Sequence, residues 1–317
     1  MNEYRGKHAP SQPWAVASTA SVPVRRGRHQ KPNRHRRVRT IVLAVILLAI
    51  LSYPLIESRI LTTDTVQIAS EDLPGDANHL RVVYLSDIHW GFWYSDADLA
   101  GLLARINSLR PDLVLLGGDY ATDNASAIHF FQHLQSVARI HARYGIYGVI
   151  GETDCGETEF DQTRLKEAMA NADVTPLINE TVPVYIGTNS KIYLAGLDDT
   201  QAGKPALKKL ASSVSASDYV IFMCHNPGII PEAQRATDSS GSLGWFDLGL
   251  FGHTHGGQMM FLSSLLDIGG DVPENYRAGL LRENRGYLLI SRGVGTSVVP
   301  FRFLCFPQVH LIDLTVN

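Results

Sequence analysis

Cysteine is scarce in this chain. Its three residues, Cys155, Cys224 and Cys305, form no C-x-x-C pair in 317 positions. That number and spacing exclude a disulfide framework, so the cysteines read as small buried hydrophobes. Nucleotide-cradling loops are missing too. There is no Walker-type sequence, and Gly293-Val294-Gly295 lacks the third glycine of a dinucleotide fingerprint. His129 and His133 stand four apart without the glutamate of a zinc protease, and read as ordinary helix residues. No internal repeat period runs through the chain.

A net positive charge is absent from most of the sequence and confined to its start. Residues 1–39 hold ten of the 28 lysines and arginines and a single acid, Glu3. The remainder carries eighteen bases against thirty acids. A domain that acidic is unsuited to nucleic acid, whose binding is driven by neutralising phosphates, and we expect no such partner. The basic segment is suited to anionic lipid.

Residues 1–39 read as a disordered basic tail, because the Pro-, Ser- and Ala-rich start has no helical or strand period. Next, Thr40 to Ile56 runs for seventeen residues without a charge. At about 1.5 Å per residue, that is the lower limit for a helix crossing a bilayer. We therefore expect a single-pass membrane anchor helix over 40–60. The basic tail then lies on the cytoplasmic side, which places the domain over 61–317 on the non-cytoplasmic side. No Ala-x-Ala cleavage site follows the run, and Arg39 stands where a twin-arginine export signal requires an apolar residue.

Beyond the run, short apolar β-branched stretches alternate with helical periods. Strands are predicted over Leu80–Leu85, Leu113–Leu116, Ile146–Ile150, Val182–Ile186, Ile192–Ala195, Tyr219–Met223, Leu248–Phe251, Met259–Leu262, Tyr287–Ile290 and Val309–Leu314. Helices are predicted over Asp98–Leu109, Ala127–Arg143 and Gln162–Asn171. The pattern gives an α/β fold with two mixed β-sheets sandwiched between helices, in one domain.

Four segments follow strands directly: Asp87-Ile88-His89, Gly118-Asp119, Cys224-His225-Asn226 and Gly252-His253-Thr254-His255. Strand carboxyl ends are where α/β sheets gather functional groups. A lone histidine at any of these places would be structural more often than not. Two aspartates and four histidines, all at strand exits, supply enough donors for two metal ions, about 3.5–4 Å apart in such sites.

In this order the segments resemble the calcineurin-like metallophosphoesterases, whose pattern is D-x-H, G-D, G-N-H-[DE], a strand-end His and G-H-x-H. The resemblance covers about residues 80–315. Gly252 to Gln258 and Ser291 to Ser297 resemble the membrane-associated branch, which includes UDP-2,3-diacylglucosamine diphosphatase-like proteins. By that resemblance, Asp87, His89, Asp119 and His255 hold the first metal. Asp119 bridges to a second, held also by His225 and His253. Mixed carboxylate and imidazole donors suit Mn2+, the ion expected here, and also Fe2+ or Zn2+.

One segment departs from the pattern: G-N-H-[DE] is replaced by Gly151-Glu152-Thr153-Asp154. Glu152 is expected as a metal ligand and, with Asp119 and His253, to act in catalysis. Thr153 cannot donate a proton as an imidazolium would, so the segment suits diphosphates, whose leaving group departs as an anion, over alkyl phosphates. Arg292 is the expected substrate-binding residue. The reading is a metal-dependent phosphoesterase acting on a phosphorylated small molecule or lipid at a membrane. The alternative is a metal-binding pseudoenzyme serving as a membrane adaptor.

Overall fold

The structure, a computed structural model, describes residues 34–91, 93–188, 190–259 and 269–317. Two units divide the chain, residues 1–47 and 48–317. Helix α1 (Arg34–Glu57) is 24 residues long and apolar enough to cross a membrane. It begins at Arg34 rather than Thr40, so the last basic residues of the expected tail are helical. Arginine is a good helix former, and no breaker lies between Pro32 and Pro54. Residues 1–33 lie outside the described residues.

The strands are β1 (Thr62–Ser70), β2 (Leu80–Leu85), β3 (Leu113–Leu116), β4 (Ile146–Gly148), β5 (Val174–Pro176), β6 (Glu180–Tyr185), β7 (Lys191–Gly196), β8 (Val220–Met223), β9 (Leu248–Phe251), β10 (Gly279–Glu283), β11 (Gly286–Ile290) and β12 (Gln308–Val316). The remaining helices are α2 (Asp96–Ser108), α3 (Asn124–Val137), α4 (Glu159–Asn171), α5 (Leu207–Ala211) and α6 (Ile230–Ala233). One six-stranded sheet has the order β1-β12-β2-β3-β4-β5, the other β10-β11-β9-β8-β7-β6. Both are mixed: β12 against β2, β10 against β11 and β6 against β7 are antiparallel, and the other pairs are parallel.

Alternation along the central strands builds the layers. Val82, Tyr84, Leu113 and Leu115 of one sheet meet Ile221, Met223, Leu248 and Leu250 of the other in a shared core. Val83, Leu85, Val114 and Leu116 point the opposite way, onto Leu99, Leu103, Phe131 and Leu165 of α2, α3 and α4. Val220 and Phe222 face Leu210, Ile230 and Trp245 on the far side. Strands buried on both faces read as continuous apolar runs, which made them legible. The architecture is the expected pair of mixed sheets between helices.

Element ends shifted where local chemistry decided them. α2 starts at Asp96 because Ser95 and Asp98 form a reciprocal capping box. α3 stops at Val137, short of the expected Arg143, because the Asn107 side chain binds the backbone of Arg139 and His141 as loop. Met259 makes an isolated bridge to Phe303, while the rest of the expected strand, 260–262, lies outside the described residues.

Candidate metal centre

Parallel β2, β3 and β4 in one sheet, and β7, β8 and β9 in the other, open their carboxyl ends into the site. The β2 and β3 exits stay laced beyond the regular ladder: Asp87 N–H donates to Gly118 C=O (2.9 Å) and His89 N–H to Asp119 C=O (3.1 Å). The second sheet joins through His253 N–H, which donates to Asp87 Oδ1 at 2.9 Å. Asp87, His89, Asp119, His253 and His255 all have positive φ, between 47° and 67°. Non-glycine residues rarely adopt that conformation, and such strain concentrates where function over-determines the backbone.

Five of the expected ligands converge in two buried triads, Asp87–His89–His255 and Asp87–Asp119–His225. The Nε2 atoms of His89 and His255 lie 3.1 Å apart. Asp87 Oδ1 is 3.5 Å from His255 Nε2 and 3.7 Å from His225 Nε2. Asp119 Oδ2 is 3.3 Å from His225 Nε2 and 3.6 Å from His89 Nε2. Asp87 is thus the corner shared by both triads, and Asp119 also reaches towards both sides. The other Asp119 oxygen, Oδ1, accepts from the Thr153 N–H and faces its hydroxyl, both at 3.0 Å.

The donor set fits a pair of divalent cations. His225 Nδ1 lies 2.7 Å from Gly117 C=O and donates to it, which leaves Nε2 facing two carboxylates. That nitrogen is fully buried and makes no hydrogen bond among the described residues. Burial opposes charge on His225, but the carboxylates of Asp119 and Asp87 outweigh it and push its pKa well up. Such a field also favours a metal cation. Burial likewise opposes ionisation of Asp119, but His225 and His89 hold its carboxyl below the usual range. Burial, with His89 and Arg302 adding to it, pushes the His255 pKa down, which favours the neutral, metal-competent imidazole.

Three expected residues sit differently. His253 is near, its ring 5.4 Å from that of His225, but its Nε2 lies 3.1 Å from Asp271 Oδ1. Asp271 is itself held by the amides of Asn226 and Gln201. Glu152 is exposed in a 3-10 turn, and neither triad includes it. The Arg292 stem passes Gly256, and its charge acts on Asp64 of β1.

Two supporting residues were not singled out from sequence. Asp154 accepts from the backbone N–H groups of Asp119 (2.7 Å), Tyr120 (2.9 Å) and Gly151 (3.0 Å), which pins the β3 exit to the β4 exit. Burial and the Asp119 charge push its pKa up to about 8. Arg302, fully buried, donates from one terminal nitrogen to His255 Nδ1 at 3.3 Å and from Nε to Gly295 C=O at 3.1 Å. The acidic end of G-N-H-[DE] was the available signal for Asp154. Nothing in Phe301-Arg302-Phe303 signals a buried cation.

Known proteins agree with the site. The family described as Calcineurin-like phosphoesterase matches residues 80–257. The chain is 27% identical over 263 residues to "Uncharacterized metallophosphoesterase YkuE" of Bacillus subtilis (strain 168), covering 82% of this chain and 87% of that protein. It is 26% identical over 239 residues to "Phosphodiesterase YaeI" of Escherichia coli (strain K12), covering 75% and 83%. It is 27% identical over 289 residues to "Transmembrane protein with metallophosphoesterase domain" of Danio rerio, covering 87% of this chain and 63% of that one. With that match spanning both sheets and the buried Asp/His cluster between them, the chain belongs to the calcineurin-like metallophosphoesterases, a family of metal-dependent phosphoester hydrolases.

Proposed function

We propose that this protein is a membrane-tethered hydrolase that cleaves a diphosphate or phosphate ester bond, in a lipid-linked or nucleotide-diphosphate substrate. The observation that carries the reading is the pair of buried triads meeting at Asp87. Asp87, His89, Asp119 and His255 would hold one ion, and Asp119, His225, His253 and Glu152 the other, with Mn2+ the expected metal and Fe2+ or Zn2+ also suited. When bound, such a pair supplies Lewis acidity and acidifies a water for attack on phosphorus.

The chain's own residues prepare that chemistry. Thr153 orients Asp119 through its N–H and hydroxyl, and cannot serve as an imidazolium acid. A leaving group that departs as an anion needs no such acid, which supports diphosphates over alkyl phosphates and the likeness to UDP-2,3-diacylglucosamine diphosphatase-like proteins. Arg292 is assigned to the substrate phosphate. Domain 61–317 would stand on the non-cytoplasmic side, anchored by α1 with the basic tail in the cytoplasm. That side favours an exported lipid diphosphate over a UDP-linked lipid.

The test is turnover of the full chain with Mn2+ on a nucleoside-diphosphate sugar and on a simple alkyl phosphate. Faster cleavage of the diphosphate is expected. Faster cleavage of the alkyl ester overturns the substrate preference. Metal binding without turnover of either favours the adaptor reading, which the exposed Glu152 and the missing histidine also support.

A further inference from the structure

The loop that carries Arg302 has a second property. Gln258, fully buried, clamps it from inside: its amide nitrogen donates to the carbonyls of Ser297 (3.0 Å), Val299 (2.8 Å) and Phe301 (3.1 Å), while its oxygen accepts from Ser297 N–H (3.0 Å). A loop tied this firmly at the surface of a water-soluble domain would turn polar residues outward. Here Val298 is 70% exposed and Leu304 41%. Both have positive φ, 59° and 55°, positions that glycine, asparagine or aspartate would fill in an aqueous turn. A β-branched residue there is strained.

The loop is joined to the end of α1. Arg302 N–H donates to Pro54 C=O at 3.0 Å, and the Phe303 ring meets that of Tyr53 edge-on at 5.8 Å. Glu57, fully buried at the helix end, accepts from the N–H groups of Leu304 and Cys305. Ser58 lies 3.2 Å from Pro300 C=O. Tyr53 and Pro54 still belong to the uncharged run, only a few residues before its end at Ile56. At about 1.5 Å of rise per residue, the loop meets the helix within about 5 Å of where that run ends. Trp93, 40% exposed in the loop after His89, lines a cleft with Ser58 and Pro300, and Ile60, 46% exposed, follows two residues after Ser58. Aromatic and aliphatic side chains around the exit of an apolar helix match the interfacial layer of a bilayer, where such groups sink about 5–10 Å.

We propose that Val298, Leu304, Trp93 and Ile60 form a lip that rests in the bilayer surface. The occupant of this apolar patch is membrane lipid, and the proposal rests on α1 being a retained anchor. Because the lip shares Arg302 with His255, and Trp93 follows His89 closely, a bilayer-seated lip keeps the metal centre beside the membrane surface. Phosphate groups carried on lipids are then the accessible substrates.

The test places an environment-sensitive fluorophore at V298C, at L304C and, as a control on the exposed far strand β6, at Y185C, each in the full chain reconstituted into phosphatidylcholine–phosphatidylglycerol vesicles. Labelled wild-type protein gives the background from Cys155. Nitroxide-bearing lipids should quench V298C and L304C several-fold more than Y185C. If the protein floats with vesicles but the three sites are quenched alike, the lip is wrong and the anchor stands. If the protein does not float with vesicles, both fail. Val298→Asp, which keeps the fold's core intact, should leave bound Mn2+ unchanged while slowing a vesicle-borne phosphate ester about 10-fold relative to a water-soluble one. Equal effects on the two esters count against the lip.

Discussion

Arg302 shows how much one side chain can decide. A guanidinium only donates, so its contact with His255 Nδ1 puts the proton of the neutral ring on Nε2, the nitrogen that faces His89 and Asp87, and that bond must give way before Nε2 can take a metal. Burying a guanidinium is costly unless it is fully hydrogen-bonded, and here carbonyls of Gly295 and Cys305 complete its shell. Arg302→Met should therefore lower Tm, because those carbonyls lose their donor inside the fold, and Arg302→Lys should recover part of the loss. A Tm equal to the parent's would mean that the loop holds its shape without the cation. At this scale the sequence was readable where chemistry repeats a pattern: Asp87, His89, Asp119, His225 and His255 were placed by their strand-exit positions and meet in space. Arg302 and Asp154 were opaque because their partners are backbone groups and a ring nitrogen brought in from distant segments.

Strand exits are the elements that make the site. Gly117 and Gly118 follow β3 because a side chain would meet Tyr84 and Ser86 of the β2 exit at the first and the β4 exit at the second. A Cβ on Gly118 would lie 2.5 Å from the Gly151 backbone nitrogen, and the residue has φ +90°. Gly118→Ala is both strained and blocked, so it should lower stability by about 2 kcal/mol or more, read as a fall in Tm, and loosen the Asp119–Asp154 contact. An unchanged Tm would show that the exits can separate freely. Elements were legible in proportion to their burial. β2, β3, β8 and β9 are apolar on both faces and announced themselves. β1 and β10 are half-exposed strands at sheet edges with polar or mixed sequences, so neither showed a clean period. β5 and the short α5 and α6 hold too few residues for a period to register, and tertiary packing alone sets them.

At the scale of the whole molecule, the C-terminal end of α1 is tied to the loop that carries Arg302. The centre gathers buried carboxylates and imidazoles in a donor set suited to cations. The layered order was legible because strand–helix alternation followed by strand-rich sequence calls for sheets packed between helices. The coupling between the helix end and the metal ligands was not, since Glu57, Gln258 and Arg302 lie far apart in sequence and meet only in the fold. The proposed dinuclear centre is built on Asp87 and Asp119. Its most direct test is metal content per chain of the full-length protein after loading with Mn2+, alongside Asp119→Asn. Two ions per chain, with spin coupling between them that Asp119→Asn abolishes, is the predicted result. One ion or none in the parent protein, or an unchanged count and coupling in Asp119→Asn, would contradict it.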